Sequence, residues 1–186
     1  MTIEDFTKVM KKWEGGLSKD LSDSASAHMC PTPYKDGNHY HTNKGITYAV
    51  WSHYFGSGHD AEFYAMSDDD WFAIFNNLYF KAVKGDQIKS LNVAALVADT
   101  AWASGVNPAG KMLQRACNTI GGKLVVDGAI GNGTLSFVNS VDPTKLFDAL
   151  VAERDRFYHA IAVGKNAKFL KGWLNRLYDD AKQFKP

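Results

Sequence analysis

The sequence predicts a mostly α-helical chain with one small β-hairpin and one long loop. Three observations carry this. Apolar residues recur at helical spacing between capping residues over most of the chain. Turn signals of the β type gather in "VVDGAIGNG", residues 125–133. Residues 17–46 are polar, rich in Ser, His, Asp and Pro, and follow no period. A loop of that length in a small domain is usually functional or disordered.

The elements follow in order. Phe6, Val9, Met10 and Trp13 share one face of a helix over residues 2–14, with Thr2 as its N-cap and Gly15 at a left-handed C-cap. After the loop, Thr47 caps a helix to Phe55, and "GSGHDAEF" reads as a linker or short turn. Ser67 opens a helix whose acidic first turn suits the dipole and whose apolar face carries Trp71, Ile74, Phe75, Leu78 and Tyr79. Residues 87–104 have small residues on several sides, as a central helix does. Asn107-Pro108 starts a further helix, with Asn as N-cap. The hairpin is expected next, leading into a helix near Thr134. Asp142-Pro143 opens a long helix to about Val163, and residues 166–184 form the last one.

Composition bounds the function. The 186 residues suit one domain, or one with two lobes. Apolar residues make up 45% and charged residues 22%, so a core is affordable and disorder is not expected. A net charge of +1 gives no reason to expect nucleic acid as a partner. The charge is uneven: Lys165 to Lys185 hold five lysines and Arg176 against Asp179 and Asp180. Such a helix is a solvated face, or one attracted to a polyanion such as a cell wall. Two cysteines, Cys30 and Cys117, are too few for a disulfide framework. No apolar run reaches a membrane span. The start, "MTIEDFTKVMKKWEGG", lacks the apolar core of a signal peptide, so synthesis in the cytoplasm without an evident signal is expected.

The chemistry centres on "KKWEGGLSKDLSD", residues 11–23. Glu14 is read as ending a helix, beside Trp13. Helix-end carbonyls and an apolar neighbour both disfavour an ionised carboxyl, so its pKa is expected to rise. Glycoside cleavage needs such a protonated acid to serve the leaving oxygen. It also needs a second carboxylate that stays charged; Asp20 and Asp23 are the candidates. The plainer readings are a surface Glu before a Gly-Gly turn and aspartates that bend the chain. Thr42 and Asn43 offer a hydroxyl and an amide that can position a water or bind sugar hydroxyls. Tyr40, Asn43 and Trp51 are candidates for sugar contact. His28, Cys30, His39 and His41 raise the idea of zinc, but their spacing matches no standard site, so no metal and no cofactor is expected. Nucleotide-binding, zinc-protease and serine-hydrolase motifs are absent from the sequence.

These residues carry a resemblance. "WEGG" at 13–16, acids six and nine residues after the Glu, and "TNKGIT" at 42–47 resemble the N-terminal motif of the family 108 glycoside hydrolases. Members are N-acetylmuramidases, also described as secretion activators or phage-type endolysins. "VADTAWASGVNPAGKMLQRACN" and "VVDGAIGNGTLSFV" resemble their predicted peptidoglycan-binding region. The resemblance spans almost the whole chain. It implies a lysozyme-like helical fold, with a catalytic lobe at 1–90 and a C-terminal helical lobe at 91–186. It implies cleavage between N-acetylmuramic acid and N-acetylglucosamine in peptidoglycan, in the periplasm or cell wall. A holin or secretion apparatus is the partner that export would call for. Glu14 matches the family's catalytic Glu, Asp23 its second acid and Thr42 its Thr. The sequence departs in the loop, where Ser24-Ala25 and an insertion through His41 replace a Gly-Gly pair. The rival readings are a non-catalytic peptidoglycan-binding or secretion-accessory protein, and a metal-dependent protein built on the His/Cys loop.

Overall fold

Helix α1 (Ile3–Lys11) opens on a reciprocal cap: Asp5 N–H donates to Thr2 Oγ1 (3.2 Å) and Thr2 N–H to Asp5 Oδ2 (3.1 Å). The computed structural model describes residues 2–186. They divide into two units, one of Thr7–Asn76 and one of the chain up to Phe6 with Asn77–Pro186.

In the Thr7–Asn76 unit, the end of α1 is followed by the long loop and an antiparallel hairpin, β1 (Thr42–Asn43) and β2 (Ile46–Thr47). Lys44 and Gly45, both at positive φ (47° and 78°), make its two-residue turn, which matches the twist of the strands. Three short helices complete the unit: α2 (Tyr48–Phe55), α3 (Asp60–Tyr64) and α4 (Asp68–Phe75). Thr47 caps α2 through Val50 N–H, as expected, and Ser67 with Asp70 forms a capping box on α4. Met10, Ile46, Trp51, Phe63, Met66, Trp71, Ile74 and Phe75 are buried. After α4 the helix widens into a π turn over Asn76–Phe80.

The other unit is helical. Helix α5 (Leu91–Ser104) is capped by Ser90, and Val93 through Ala101 are buried without a break. That is why its small and apolar residues surround the whole helix. Helices α6 (Val106–Thr119), α8 (Pro143–Ile161) and α9 (Leu170–Phe184) pack on it or on one another, with α7 (Asn132–Val138) against α6. Asp142 caps α8 from Lys145 N–H, and Pro143 lies in its first turn.

The hairpin stands at 42–47, not at 125–133. Residues 120–131 form no strand. Their backbone is satisfied by side chains of α6 instead. Asn118 donates to Leu124 O and accepts from Leu124 N–H. Gln114 takes Gly128 N–H on Oε1 (2.8 Å) and donates to Asp127 Oδ1 and Ala129 O. Asn107 is not the N-cap of α6; its amide donates to Asp127 O (3.0 Å). Glycine is required where this loop meets the helix: a Cβ on Gly110 would lie 2.2 Å from Gly128 O. A local turn signal was outbid by amides presented on a neighbouring helix.

Charge is buried at the centre of the helical unit. Asp99 on α5, fully buried, accepts from Arg154 Nη1 on α8 (2.5 Å) and Arg176 Nη2 on α9 (2.7 Å). Burial opposes its ionisation, but the two guanidiniums hold it well below the usual carboxylate range. Asp180, also buried, has no hydrogen-bond donor on either oxygen, and Arg176 Nε stays 4.0 Å away. Burial and the Asp99 charge push Asp180 up to about 8. The folded chain therefore keeps a proton that the unfolded chain releases above its ordinary carboxylate value. Stability is greatest below that value and falls as pH rises towards 8. Asp180→Asn should flatten this decline, measured by denaturant melts at pH 5 and pH 8. Wild type should lose on the order of a few kcal/mol between them and the variant clearly less.

Candidate active site

Glu14 does not sit in the helix. Helix α1 ends at Lys11, and the next turn tightens: Lys12, Trp13 and Glu14 N–H donate three residues back, to Val9, Met10 and Lys11 O (3.1, 3.0 and 3.3 Å). This tightened turn fixes the direction in which Glu14 leaves the helix. Trp13 is 40% exposed, so it does not wall the carboxyl in. The surroundings of Glu14 are ionic. An open pocket of about 260 Å³ is lined by Lys11, Glu14, Lys44 and Asp68. Lys11 Nζ pairs with Asp68 Oδ2 at 2.8 Å, and Lys44 Nζ lies 3.9 Å from Asp68 Oδ1 and donates to Met66 O. The Lys11 ammonium holds Asp68 below the usual carboxylate range. Gly15 and Gly16 are not left-handed, and a Cβ on either would meet nothing within 4 Å. Their service is a bare backbone beside the acid rather than a C-cap.

Past the glycines the chain returns to the hairpin. Ser18 N–H donates to Thr42 O (2.9 Å) and Thr42 N–H to Ser18 O (3.4 Å), an isolated antiparallel bridge beside β1, and His41 N–H also donates to Ser18 O (3.0 Å). Asp20 and Asp23 then make turns. Asp20 Oδ1 accepts from Ser22 N–H and Ser22 Oγ (2.9 and 2.8 Å), and Asp23 caps a 3-10 turn (Ser24–Ala27) from Ala25 N–H (2.9 Å). Both acids are exposed. Thr42 is half-buried, and its Oγ1 lies 2.7 Å from His41 Nδ1.

The other candidates separate by burial. Trp51 is 1% exposed, with its N–H on His59 O and its ring against Phe55 and Phe63, so no face is left for a sugar. Asn43 is buried and donates to Phe63 O (2.7 Å), which ties the hairpin to α3. Tyr40 stays half-exposed among Tyr34 and Tyr64, with Lys19 Nζ 5.6 Å from its ring centre. Its hydroxyl donates to Asp36 and draws that carboxyl down to about 2. Cys30 is buried, His39 bonds Cys30 O, His41 bonds Thr42 and the Asp20 carbonyl, and His28 is exposed. Among the described residues no three His, Cys, Asp or Glu side chains gather to hold a metal.

Sequence reasoning missed Lys11, Lys44, Asp68 and the inward position of His41. Asp68 reads as part of the acidic first turn of "SDDDW", and neither lysine is singled out. The N-K-G-I string was the signal for Lys44, since it puts that residue in the hairpin turn next to Asn43.

A family model described as glycosyl hydrolase 108 matches residues 7–105, and one described as a predicted peptidoglycan domain matches residues 108–178. Among solved structures, one titled "Structure of Brucella abortus SagA" is similar, at 26% identity and a TM-score of 0.71. The similarity covers 98% of this chain and 94% of that one, and the shared fold is the mostly helical, lysozyme-like one. No curated protein matches. With one model covering more than half of the chain, and the acid-bearing turn and hairpin both inside it, the chain belongs to the glycosyl hydrolase 108 family, followed by a predicted peptidoglycan domain.

Proposed function

We propose that the chain is an N-acetylmuramidase that cuts between N-acetylmuramic acid and N-acetylglucosamine, with Glu14 as general acid. The observation that carries this reading is the position of Glu14. It projects from a tightened turn into an open pocket, beside two glycines that leave room for a bulky ring. The acid protonates the leaving oxygen as the sugar takes on oxocarbenium character. A second, charged carboxylate assists a water or that cation, and Thr42 helps hold the water. Asp23 takes the charged role by its place nine residues after Glu14, with Asp20 as the nearby substitute. Asp68 earns a second reading, because it lines the same pocket as Glu14 while Asp20 and Asp23 are engaged in local turns. Tyr40 offers a sugar-stacking face. The predicted peptidoglycan domain supports the wall as substrate, and the basic residues of the last helix suit an anionic polymer. Action in the periplasm or wall, reached through a holin or a secretion apparatus, completes the proposal. Among the described residues no helix is long and apolar enough to cross a membrane.

Glu14→Gln should keep the fold and abolish clearing of purified peptidoglycan. The amide is nearly isosteric but cannot donate to the leaving oxygen, a loss of roughly 10²–10⁴-fold or more. The check is turbidity with reducing-end analysis of the fragments, alongside a thermal melt. Near wild-type clearing by folded Glu14→Gln would remove Glu14 from the mechanism, and the non-catalytic binding reading would then stand.

Three asparagine variants identify the charged partner. Asp23→Asn should lower kcat strongly with KM nearly unchanged, since the loss falls in the transition state. Asp20→Asn and Asp68→Asn should matter much less. Each variant needs a melt, and Asp23→Asn should keep its stability, because Asn Oδ1 can accept from Ala25 N–H as the Asp23 carboxylate does. If folded Asp68→Asn were the most damaged, the charged partner would come from α4; if Asp20→Asn were, the roles of the two loop acids would exchange.

A chelator should leave turnover unchanged, measured on protein assayed for zinc before and after treatment. Stoichiometric zinc whose removal stops the reaction and whose return restores it would establish the metal-dependent reading instead.

A further inference from the structure

His41 is wholly buried at the edge of a largely exposed loop, and each of its polar groups is engaged. Its N–H donates to Ser18 O, and its carbonyl accepts from Tyr48 N–H at 2.7 Å. In the ring, Nε2 lies 3.2 Å from the Asp20 carbonyl oxygen and Nδ1 lies 2.7 Å from Thr42 Oγ1. A carbonyl oxygen can only accept, so Nε2 carries the proton. With the proton on Nε2 the lone pair of the ring lies at Nδ1, and the Thr42 hydroxyl donates to it. The opposite tautomer would set a lone pair of Nε2 against the carbonyl in a buried place, at a cost water does not relieve.

We propose that His41 is the positioning residue of the site: held in one tautomer by the Asp20 carbonyl, it orients the Thr42 hydroxyl as a donor, so that Thr42 Oγ1 offers only lone pairs to the reaction's water. This rests on the reading that Thr42 holds that water. A freely rotating hydroxyl would donate to the water or accept from it with little preference. With its proton committed to His41, Thr42 accepts an O–H of the water, and the water's own lone pair is left to face the anomeric carbon. His41 touches neither sugar nor water; it acts through Thr42. The same ring ties the backbone at Asp20 to β1, so the turn that carries both loop acids is placed by the residue that orients the threonine.

Two measurements test this. Nitrogen-15 NMR of the wild-type protein at neutral pH should show His41 with a protonated Nε2 and an unprotonated Nδ1; a protonated Nδ1 would overturn the inference. This measurement needs no variant, so it decides the matter even where a substitution at this buried position prevents folding. The second is a double-mutant cycle on peptidoglycan. His41→Gln can set its amide N–H near the Nε2 position for Asp20 O but leaves no acceptor at the Nδ1 position that Thr42 meets, and should lower kcat ~10- to 100-fold with KM little changed. His41→Asn, which places an oxygen near the Nδ1 position, should recover most of that loss. On a Thr42→Val background, His41→Gln should cost nothing further in kcat. Additive losses in folded variants would show that His41 does not act through Thr42, and would overturn the inference while leaving Glu14 and Thr42 in place. Thr42→Val with unchanged kcat would overturn the reading of the water itself, and this inference with it.

Discussion

The bridge between Ser18 and Thr42 is the constraint on which the site-bearing unit depends. Residues 17–46 contain few apolar side chains and no helix long enough to satisfy its own backbone. Such a stretch holds one conformation only if its polar groups find partners elsewhere. The bridge begins that accounting, and His41 extends it by fastening Ser18, Asp20, Thr42 and Tyr48 to one residue. Further along, Cys30 N–H bonds Tyr40 O, Tyr34 N–H bonds Asn38 O, and Asp60 gathers the Thr32 and Tyr48 hydroxyls. A loop held this way can carry catalytic groups on turns rather than on helices, as functional loops on rigid scaffolds commonly do.

The helical unit solves a different problem. Its helices are apolar enough to pack in several registers, and apolar contact alone is not directional. Asp99 makes the packing specific, because its carboxylate meets guanidiniums from two other helices. Sliding either helix would leave an unpaired buried charge, which costs about 3–5 kcal/mol. Replacement of the whole cluster by apolar residues need not destabilise the unit, so its value lies in register more than in net energy. Asp180 is the cost of placing a second carboxyl beside the first: neutral in the folded chain near pH 7, it adds no second negative charge there.

The walls of the Glu14 pocket are charged rather than apolar. Lys11 and Lys44 bring ammonium groups to its rim, and Asp68 partly offsets them. A pocket with both signs can bind a substrate that carries carboxylates as well as neutral sugar, at the cost of stronger salt dependence. The two glycines beside Glu14 leave the backbone open on that side.

By itself the sequence determined the helical class, most helix starts and the acid to examine. Each of these is local. Thr2, Thr47, Ser67 and Asp142 cap because a side-chain oxygen reaches a backbone N–H three residues on. The WEGG and TNKGIT strings identified Glu14 and Thr42 through their resemblance to a known motif. Tertiary structure decided the rest. The expected hairpin at 125–133 lost its backbone partners to Gln114 and Asn118, and the real one formed where Lys44 and Gly45 accept positive φ. Trp51 and Asn43 went to the core because α3 packs over them. Asp68 and Lys11 meet although far apart in sequence, and the ring of His41 faces inward because Asp20 and Thr42 supply partners on both of its nitrogens. A sequence states what each residue can bond to; which partner it meets is set by the folded chain, because burial leaves a polar group no other choice.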